Sequence, residues 1–381
     1  MIYLDNAATT LKKPPAVLEA VQEAMGSFGN AGRGGNDASL SSSRIIFQTR
    51  EALNRLVGGT SSRQIVFTHN ATESLNIAIR GLLNPGDHAI TSVLEHNSVL
   101  RPLEALKASG VEVSYLPINE VGEVQVDKIP TLIQDNTTMI ILAHGSNLTG
   151  SIIDLAYVGQ LAEQYGLYFV VDAAQTLGAV PIDVQQMQID VLCFTGHKGL
   201  LGPQGTGGLY VREGLDIRPL KAGGTGSESH QLTQPTQMPD RLEAGTLNSH
   251  GIAGLHAAVN YLLNYGVDQI QQHERELTAY FYNGIKDLAN VTCYGPMQAT
   301  YRCPIITLNI GSVDSSIISD RLLSDFDIAT RSGAHCAPLA HDALGTSEQG
   351  AVRFSLSHFT TTEEIDQAIA AIHQLAQEYG K

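Results

Sequence analysis

Between residues 65 and 174, short apolar runs alternate with longer stretches in which apolar side chains return every three or four positions. "QIVFT" precedes "ESLNIAIRGLL", "HAITSV" precedes "VLRPLEALKASG", and "VEVSYLPI", "TMIILAHG", "LAYVGQLAEQYG" and "YFVVDAA" extend the series. The short runs fit strands buried on both faces, and the periodic stretches fit helices. Such alternation builds a mostly parallel sheet flanked by helices. Upstream, "PPAVLEAVQEAM" predicts a helix with proline in its first turn and Val17, Leu18, Val21 and Met25 on its buried side. Asn70 and Glu73 have the spacing of a helix N-cap and its third residue, with Leu75, Ile79 and Leu82 as the buried stripe.

The order changes beyond about residue 250. "GIAGLHAAVNYLLNYG" reads as a helix, and "PIITLNI" alternates with Ile306, Leu308 and Ile310 on one face. "AVRFSLSHF" sets Val352, Phe354 and Leu356 against Arg353, Ser355 and Ser357. The closing "TTEEIDQAIAAIHQLAQEY" carries Ile365, Ile369, Ile372, Ala376 and Tyr379 on one stripe, and Thr361 and Glu364 form a capping box. The expected organisation is α/β: a large domain over 14–250 built on a mostly parallel sheet, and a smaller α+β domain over 251–381 joined by 1–13. The stretch Gly223 to Arg241 has only Leu232 and Met238 as large apolar residues. A loop that long suits a lid, a binding loop or a partner contact.

A formal charge of −15 argues against nucleic acid and anionic membranes as partners. No apolar run approaches the ~20 residues of a membrane span. "MIYLDNAATTLKK" has neither a basic leader nor an apolar signal core, so a cytoplasmic location is expected. Four cysteines in 381 residues, with no C-x-x-C pair, read as free thiols. Cys193, in "DVLCFTG", fits a core position. Cys336, in "RSGAHCAP", lies between Gly333 and Pro338 in a loop without other large apolar side chains.

Four further features carry chemistry. The helix start after "FTHN" offers free N–H groups suited to a phosphate, with the Thr72 hydroxyl beside them. Asp172 follows four apolar residues at the end of a strand, where a charge needs a cationic partner. Lys198 lies after another strand in the glycine-rich "TGHKGLLGPQGTGG", where confinement lowers an amine's pKa and suits it to a Schiff base. Arg353 could clamp a carboxylate. Each has an ordinary structural reading alone. The lysine loop does not match the P-loop pattern, and no strand opens into a dinucleotide fingerprint. Together, a phosphate cage, a strand-end aspartate and a lysine 26 positions later are what pyridoxal phosphate requires. "AHCAPLAH" also raises metal binding through His335, Cys336 and His341, but it lacks a fourth ligand and leaves the other motifs unexplained, so no metal is expected.

The motifs "ATESLN", "EHNSVL", "SNLTG", "VDAAQTLG", "TGHKGLLGPQGTG", "RLEAGTLN", "RSGAHCAP" and "VRFSLSHF", in this order, resemble the cysteine desulfurase and selenocysteine lyase family, class V aminotransferase-like enzymes of fold type I that use pyridoxal phosphate. The resemblance implies a seven-stranded sheet in the large domain. It implies that Lys198 binds the cofactor aldehyde and later moves the substrate's Cα proton, that Asp172 pairs with the ring nitrogen, and that Gln175 bonds the ring oxygen. His96 would stack on the ring and act as a catalytic proton shuttle. Thr72, Glu73, Thr195 and His197 would hold the cofactor, with Thr246 reaching in from the second subunit of a homodimer. Asn147, Arg353 and Arg33 would bind substrate. Cys336 would be a mobile nucleophile that takes sulfur from L-cysteine, leaving L-alanine and a persulfide. The sulfur would pass to an acceptor serving iron–sulfur clusters, thiolated RNA or another cofactor. Selenocysteine lyase, or a cysteine or cystine lyase, is the alternative on the same fold. An ordinary thiol is only a few per cent ionised at neutral pH. His335 and the cofactor's surroundings are expected to raise that fraction.

Overall fold

The computed structural model describes residues 1–31, 36–298 and 302–379. Its strands, in chain order, are β1 (Ile2–Tyr3), β2 (Ile65–Thr68), β3 (His88–Ser92), β4 (Glu112–Leu116), β5 (Thr137–Ala143), β6 (Tyr168–Asp172), β7 (Val191–Thr195), β8 (Gly207–Val211), β9 (Val291–Tyr294), β10 (Ile305–Ile310), β11 (Ile328–Ala329) and β12 (Val352–Ser355). Seven of them form one sheet in the order β2-β8-β7-β6-β5-β3-β4, with β8 alone running against the rest.

The unbroken apolar runs follow from burial of both sheet faces. Ile140 and Leu142 of β5, Phe169 and Val171 of β6 and Leu192 and Phe194 of β7 join a core with helices 37–56, 155–165 and 249–265. Met139, Ile141, Val170, Val191 and Cys193 face the opposite core, built with helices 71–82 and 97–107. The 71–82 helix starts where its sequence indicates: the Glu73 N–H donates to Asn70 Oδ1 at 2.9 Å.

The first helix, Pro15–Ser27, forms with proline in its first turn, but its buried side differs from expectation. Val17 and Ala24 are buried, whereas Leu18 and Met25 are 66% and 70% exposed. The helix packs closely on helix 249–265, where a side chain at Gly254 would meet Val21 Cγ2 at 2.6 Å, and the packed side is the one carrying Val17, Val21 and Ala24 rather than Leu18 and Met25.

A second, antiparallel sheet has the order β12-β10-β9. Ile306, Leu308, Ile310, Val352 and Phe354 share a core with helices 267–285, 315–326 and 362–379 and with Ile2 and Leu4 of the N-terminal segment. The Phe281 ring meets Phe354 edge-on at 5.2 Å. The last helix is closed by the expected capping box: Glu364 N–H donates to Thr361 Oγ1 at 3.3 Å, and Thr361 N–H to Glu364 Oε2 at 3.0 Å. β1 pairs in parallel with β11, tying the N-terminus to this part of the molecule. No helix among the described residues is long and apolar enough to cross a membrane.

Candidate active site

The connection from β3 runs outward to β4, and that from β5 runs the other way to β6 and β7. Such a reversal leaves a crevice beyond the strands' carboxyl ends, where ligands bind in open α/β sheets. A cavity of about 240 Å³ lies there. Its walls include Thr72, His96, Asn147, Asp172, Gln175, Thr195, His197, Lys198 and Arg353, which are distant in sequence. Arg331 and His335 also line it.

Asp172 ends β6, is 6% exposed, and accepts the Ala174 N–H at 2.9 Å. Burial raises its pKa, while that bond and the nearby Lys198 charge oppose the shift. Lys198 opens onto the cavity just beyond β7. Removal from bulk water lowers its amine to about 8, with Asp172 opposing and Arg353 and Arg331 adding to the fall. An amine at that value is partly neutral near pH 7 to 8 and serves as a nucleophile or proton carrier. Thr195 Oγ1 is buried and finds no hydrogen-bond partner among the described residues.

His96 caps helix 97–107. Its Nδ1 accepts the Ser98 N–H at 3.0 Å and lies 2.9 Å from Ser98 Oγ, which in turn lies 2.8 Å from Thr72 Oγ1. Burial, followed by the Lys198 and Arg331 charges, pushes the imidazole down to about 4. It is therefore neutral, with its lone pair on Nδ1 and its proton on Nε2. His197 is likewise pushed down to about 4, by burial and then by Lys198 and Lys13; its Nδ1 lies 3.0 Å from Thr9 Oγ1. Gln175 Nε2 donates to the Ala7 carbonyl at 3.1 Å.

The opposite wall comes from the small sheet. Arg353 is 1% exposed; Nη2 donates to Asp5 Oδ1 at 2.8 Å and Nη1 to the Asn147 carbonyl at 3.0 Å, while Nε is buried without a partner. Three successive carbonyls of one turn are taken this way. Thr307 Oγ1 donates to Leu148 O at 2.5 Å and Arg302 Nη2 to Thr149 O at 3.3 Å.

Cys336 is partly exposed, and the backbone of its loop is held by hydrogen bonds. Asn97 N–H donates to Cys336 O at 2.8 Å, and Asn147 Nδ2 donates to His335 O at 2.7 Å. His335 Nε2 donates to Ala351 O at 2.9 Å. His335 and Cys336 adopt φ of 49° and 57°, a left-handed pair that non-glycine residues rarely take and that these bonds hold in place. Burial, then the Arg353 charge, pushes the His335 pKa down to about 3. A neutral ring with its one N–H already spent brings no positive charge to Cys336.

Glu73 and Thr246 lie elsewhere, lining a separate cavity with Lys221. Glu73 Oε2 accepts from His69 N–H at 2.8 Å and pairs with His69 Nδ1, and Oε1 pairs with Lys221. Burial pushes its pKa up, but these partners bring it below the ordinary value. Arg33 lies outside the described residues. Among those described, no group of three or more His, Cys, Asp or Glu side chains is placed to hold a metal. Arg331, which lines the cavity, and Asp5, which pairs with Arg353, were missed, although both stand in quoted motifs; neither residue type at those positions signals its surroundings.

A buried strand-end carboxylate and a confined lysine lining one crevice are groups that suit a bound carbonyl cofactor. The chain matches the aminotransferase class-V family over residues 2–368 and belongs to it; this family uses pyridoxal phosphate. Within it the chain resembles cysteine desulfurases. A probable cysteine desulfurase of Methanothermobacter thermautotrophicus is 33% identical over 98% of this chain and 94% of its own length. A cysteine desulfurase of Escherichia coli is 32% identical over 98% and 93%. The apo structure of the Thermococcus onnurineus cysteine desulfurase superposes with a TM-score of 0.93 at 31% identity, covering 99% of this chain and 95% of that one.

Proposed function

We propose that the protein is a pyridoxal-phosphate-dependent cysteine desulfurase that converts L-cysteine to L-alanine and captures the sulfur on Cys336. The observation that carries this reading is the Cys336 turn, which Asn147 and Asn97 tie to the cavity that Asp172 and Lys198 enter from the large sheet. The residues present fit the cofactor. Thr195 has a buried hydroxyl without a partner, Asp172 a buried carboxylate, and Lys198 an amine pushed down to about 8. Asp172, Gln175 and His96 would hold the ring and Thr72, Thr195 and His197 the phosphate, with Thr246 serving the partner subunit's site. When bound, the cofactor draws electrons from the substrate's Cα.

The chain's own residues supply the rest. Arg353 and Asn147 orient the substrate carboxylate, with the unpartnered Arg353 Nε among the donors left to do so. Lys198 removes and returns protons at the substrate carbons. Cys336 Sγ attacks the substrate sulfur: the new S–S bond forms as the Cβ–S bond breaks, its electron pair stays on carbon, and protonation there completes alanine. The persulfide then passes to an acceptor, and the domains divide at about residue 250. The outward-facing Leu18, Met25, Leu40 and Phe47 suit a homodimer contact.

Purified protein loaded with pyridoxal phosphate should release alanine from L-cysteine in step with sulfide when a reductant is present. Cys336→Ser should keep the cofactor's absorbance and pass no sulfur to an acceptor. Normal transfer by that variant would refute the persulfide route.

A further inference from the structure

The charges around the main cavity balance except for one. Asp172 and Lys198 both line it and offset each other's charge. Arg353 is paired with Asp5, Nη2 to Oδ1 at 2.8 Å. Burial keeps the His96, His197 and His335 rings neutral. Arg331 remains. It lines the cavity and is partly buried, and among the described residues its guanidinium has no hydrogen-bond or ion-pair partner.

Arg331 stands directly across from Arg353. The two form an antiparallel bridge in which Arg353 N–H donates to Arg331 O at 2.8 Å and Arg331 N–H to Arg353 O at 3.3 Å. Residues that exchange both bonds have Cα atoms about 5.5 Å apart and side chains on the same side. Here that side is the cavity. Like charges set opposite each other in this way are destabilising. After burial, the Arg331 charge is among the influences that lower the Arg353, Lys198 and His96 pKa values. An anion between the two guanidiniums would remove that repulsion. Arg353 alone is poorly equipped to hold one, because Asp5 already meets its charge and the Asn147 carbonyl takes its Nη1. A carboxylate brought against the Arg353–Asp5 pair meets little net charge, whereas Arg331 presents an unmet one. The start of helix 71–82, which suits a phosphate, belongs to the large-sheet wall on the other side.

We propose that Arg331 is the second arm of the substrate-carboxylate clamp and supplies the net positive charge that Arg353, paired with Asp5, lacks. The ligand class is an amino acid with a free α-carboxylate, and the same amino acid as its amide is discriminated against. The proposal rests on the reading of the cavity as an amino-acid site with its carboxylate at Arg353.

The test uses the full chain loaded with pyridoxal phosphate and compares wild type with Arg331→Gln and Arg331→Lys. Equilibrium dialysis of radiolabelled L-alanine and L-alaninamide reads binding without turnover. Wild type should hold L-alanine more tightly, and Arg331→Gln should lose about 10- to 100-fold for L-alanine but little for L-alaninamide. Arg331→Lys, which keeps the charge and loses the fork, should fall between them. KM for L-cysteine should rise by a similar factor while kcat stays within about threefold. Arg331→Gln should melt no lower than wild type, because a like-charge contact is relieved, and should retain the cofactor. Unchanged L-alanine affinity in Arg331→Gln overturns the proposal. So does an equal loss for both ligands, which marks a packing role. Loss of cofactor with the L-alanine preference intact overturns it as well, by assigning the arginine to the phosphate. If wild type releases no alanine from L-cysteine, yet the preference for the carboxylate disappears with Arg331, the desulfurase reading fails and the clamp stands.

Discussion

Lys198 and the Cys336 turn meet one region from unlike scaffolds: Lys198 lines the cavity, and the turn is tied to it through His335 and Asn147. Lys198 and its companions Asp172 and Thr195 sit at or just past the ends of buried strands, in a sheet covered by helices on both faces. Cys336 sits on a turn whose backbone conformation is unfavourable for its own residues and persists because Asn97, Asn147 and Ala351 hold it. Groups at strand ends inherit their position from the core, whereas a strained turn must be pinned bond by bond. The first arrangement should tolerate loss of a neighbour, and the second should not.

The largest expected effect comes from removing the amine. Lys198→Ala should cut alanine release by at least about 10³-fold without lowering the melting temperature, because a confined cation is lost and the sheet end is untouched. Cys336→Ser should abolish transfer to an acceptor, measured by trapping the persulfide, while cofactor absorbance persists. Asn147→Ala tests the contrast most directly. It frees His335 O in a buried site, which costs about 1–3 kcal/mol in denaturant unfolding, and it loosens substrate and nucleophile at once. KM should rise about tenfold and kcat should also fall.

The smallest effect is on acid stability. His144 and His335 are pushed down to about 3 and His96 to about 4, in each case first by burial. Their folded values lie below the ordinary 6.5 of the unfolded chain, so the unfolded state binds more protons between about 3 and 6.5. Stability should hold above pH 6.5 and decline as pH falls through that window. Urea midpoints read from pH 7 to pH 4 check it, and His335→Gln should flatten part of the slope.

Much of this was legible in the chain. Apolar runs gave the strands, and Asn70 and Thr361 gave their caps. Arg353 was placed correctly on the face away from the small sheet's core, but periodicity does not say what a polar face meets. Here it meets the large sheet's crevice, so the arginine is buried. The first helix misled because it packs on helix 249–265 around Gly254, more than 200 positions away. The Cys336 turn was visible as a loop and not as a constrained one, since its ties come from Asn97, Asn147 and Ala351. Arg331 and Asp5 gave no signal because a cavity wall and a buried ion pair are made by the fold.

The turn at residues 147–149 has a mechanical consequence. With Arg353, Thr307 and Arg302 each holding one of its consecutive carbonyls, the C-terminal sheet cannot tilt without dragging the jaw that would hold the amino acid. On the function proposed above, substrate grip and nucleophile placement would be set by one caliper, and an acceptor that pried the sheet outward to reach the sulfur would also open the exit for the amino-acid product.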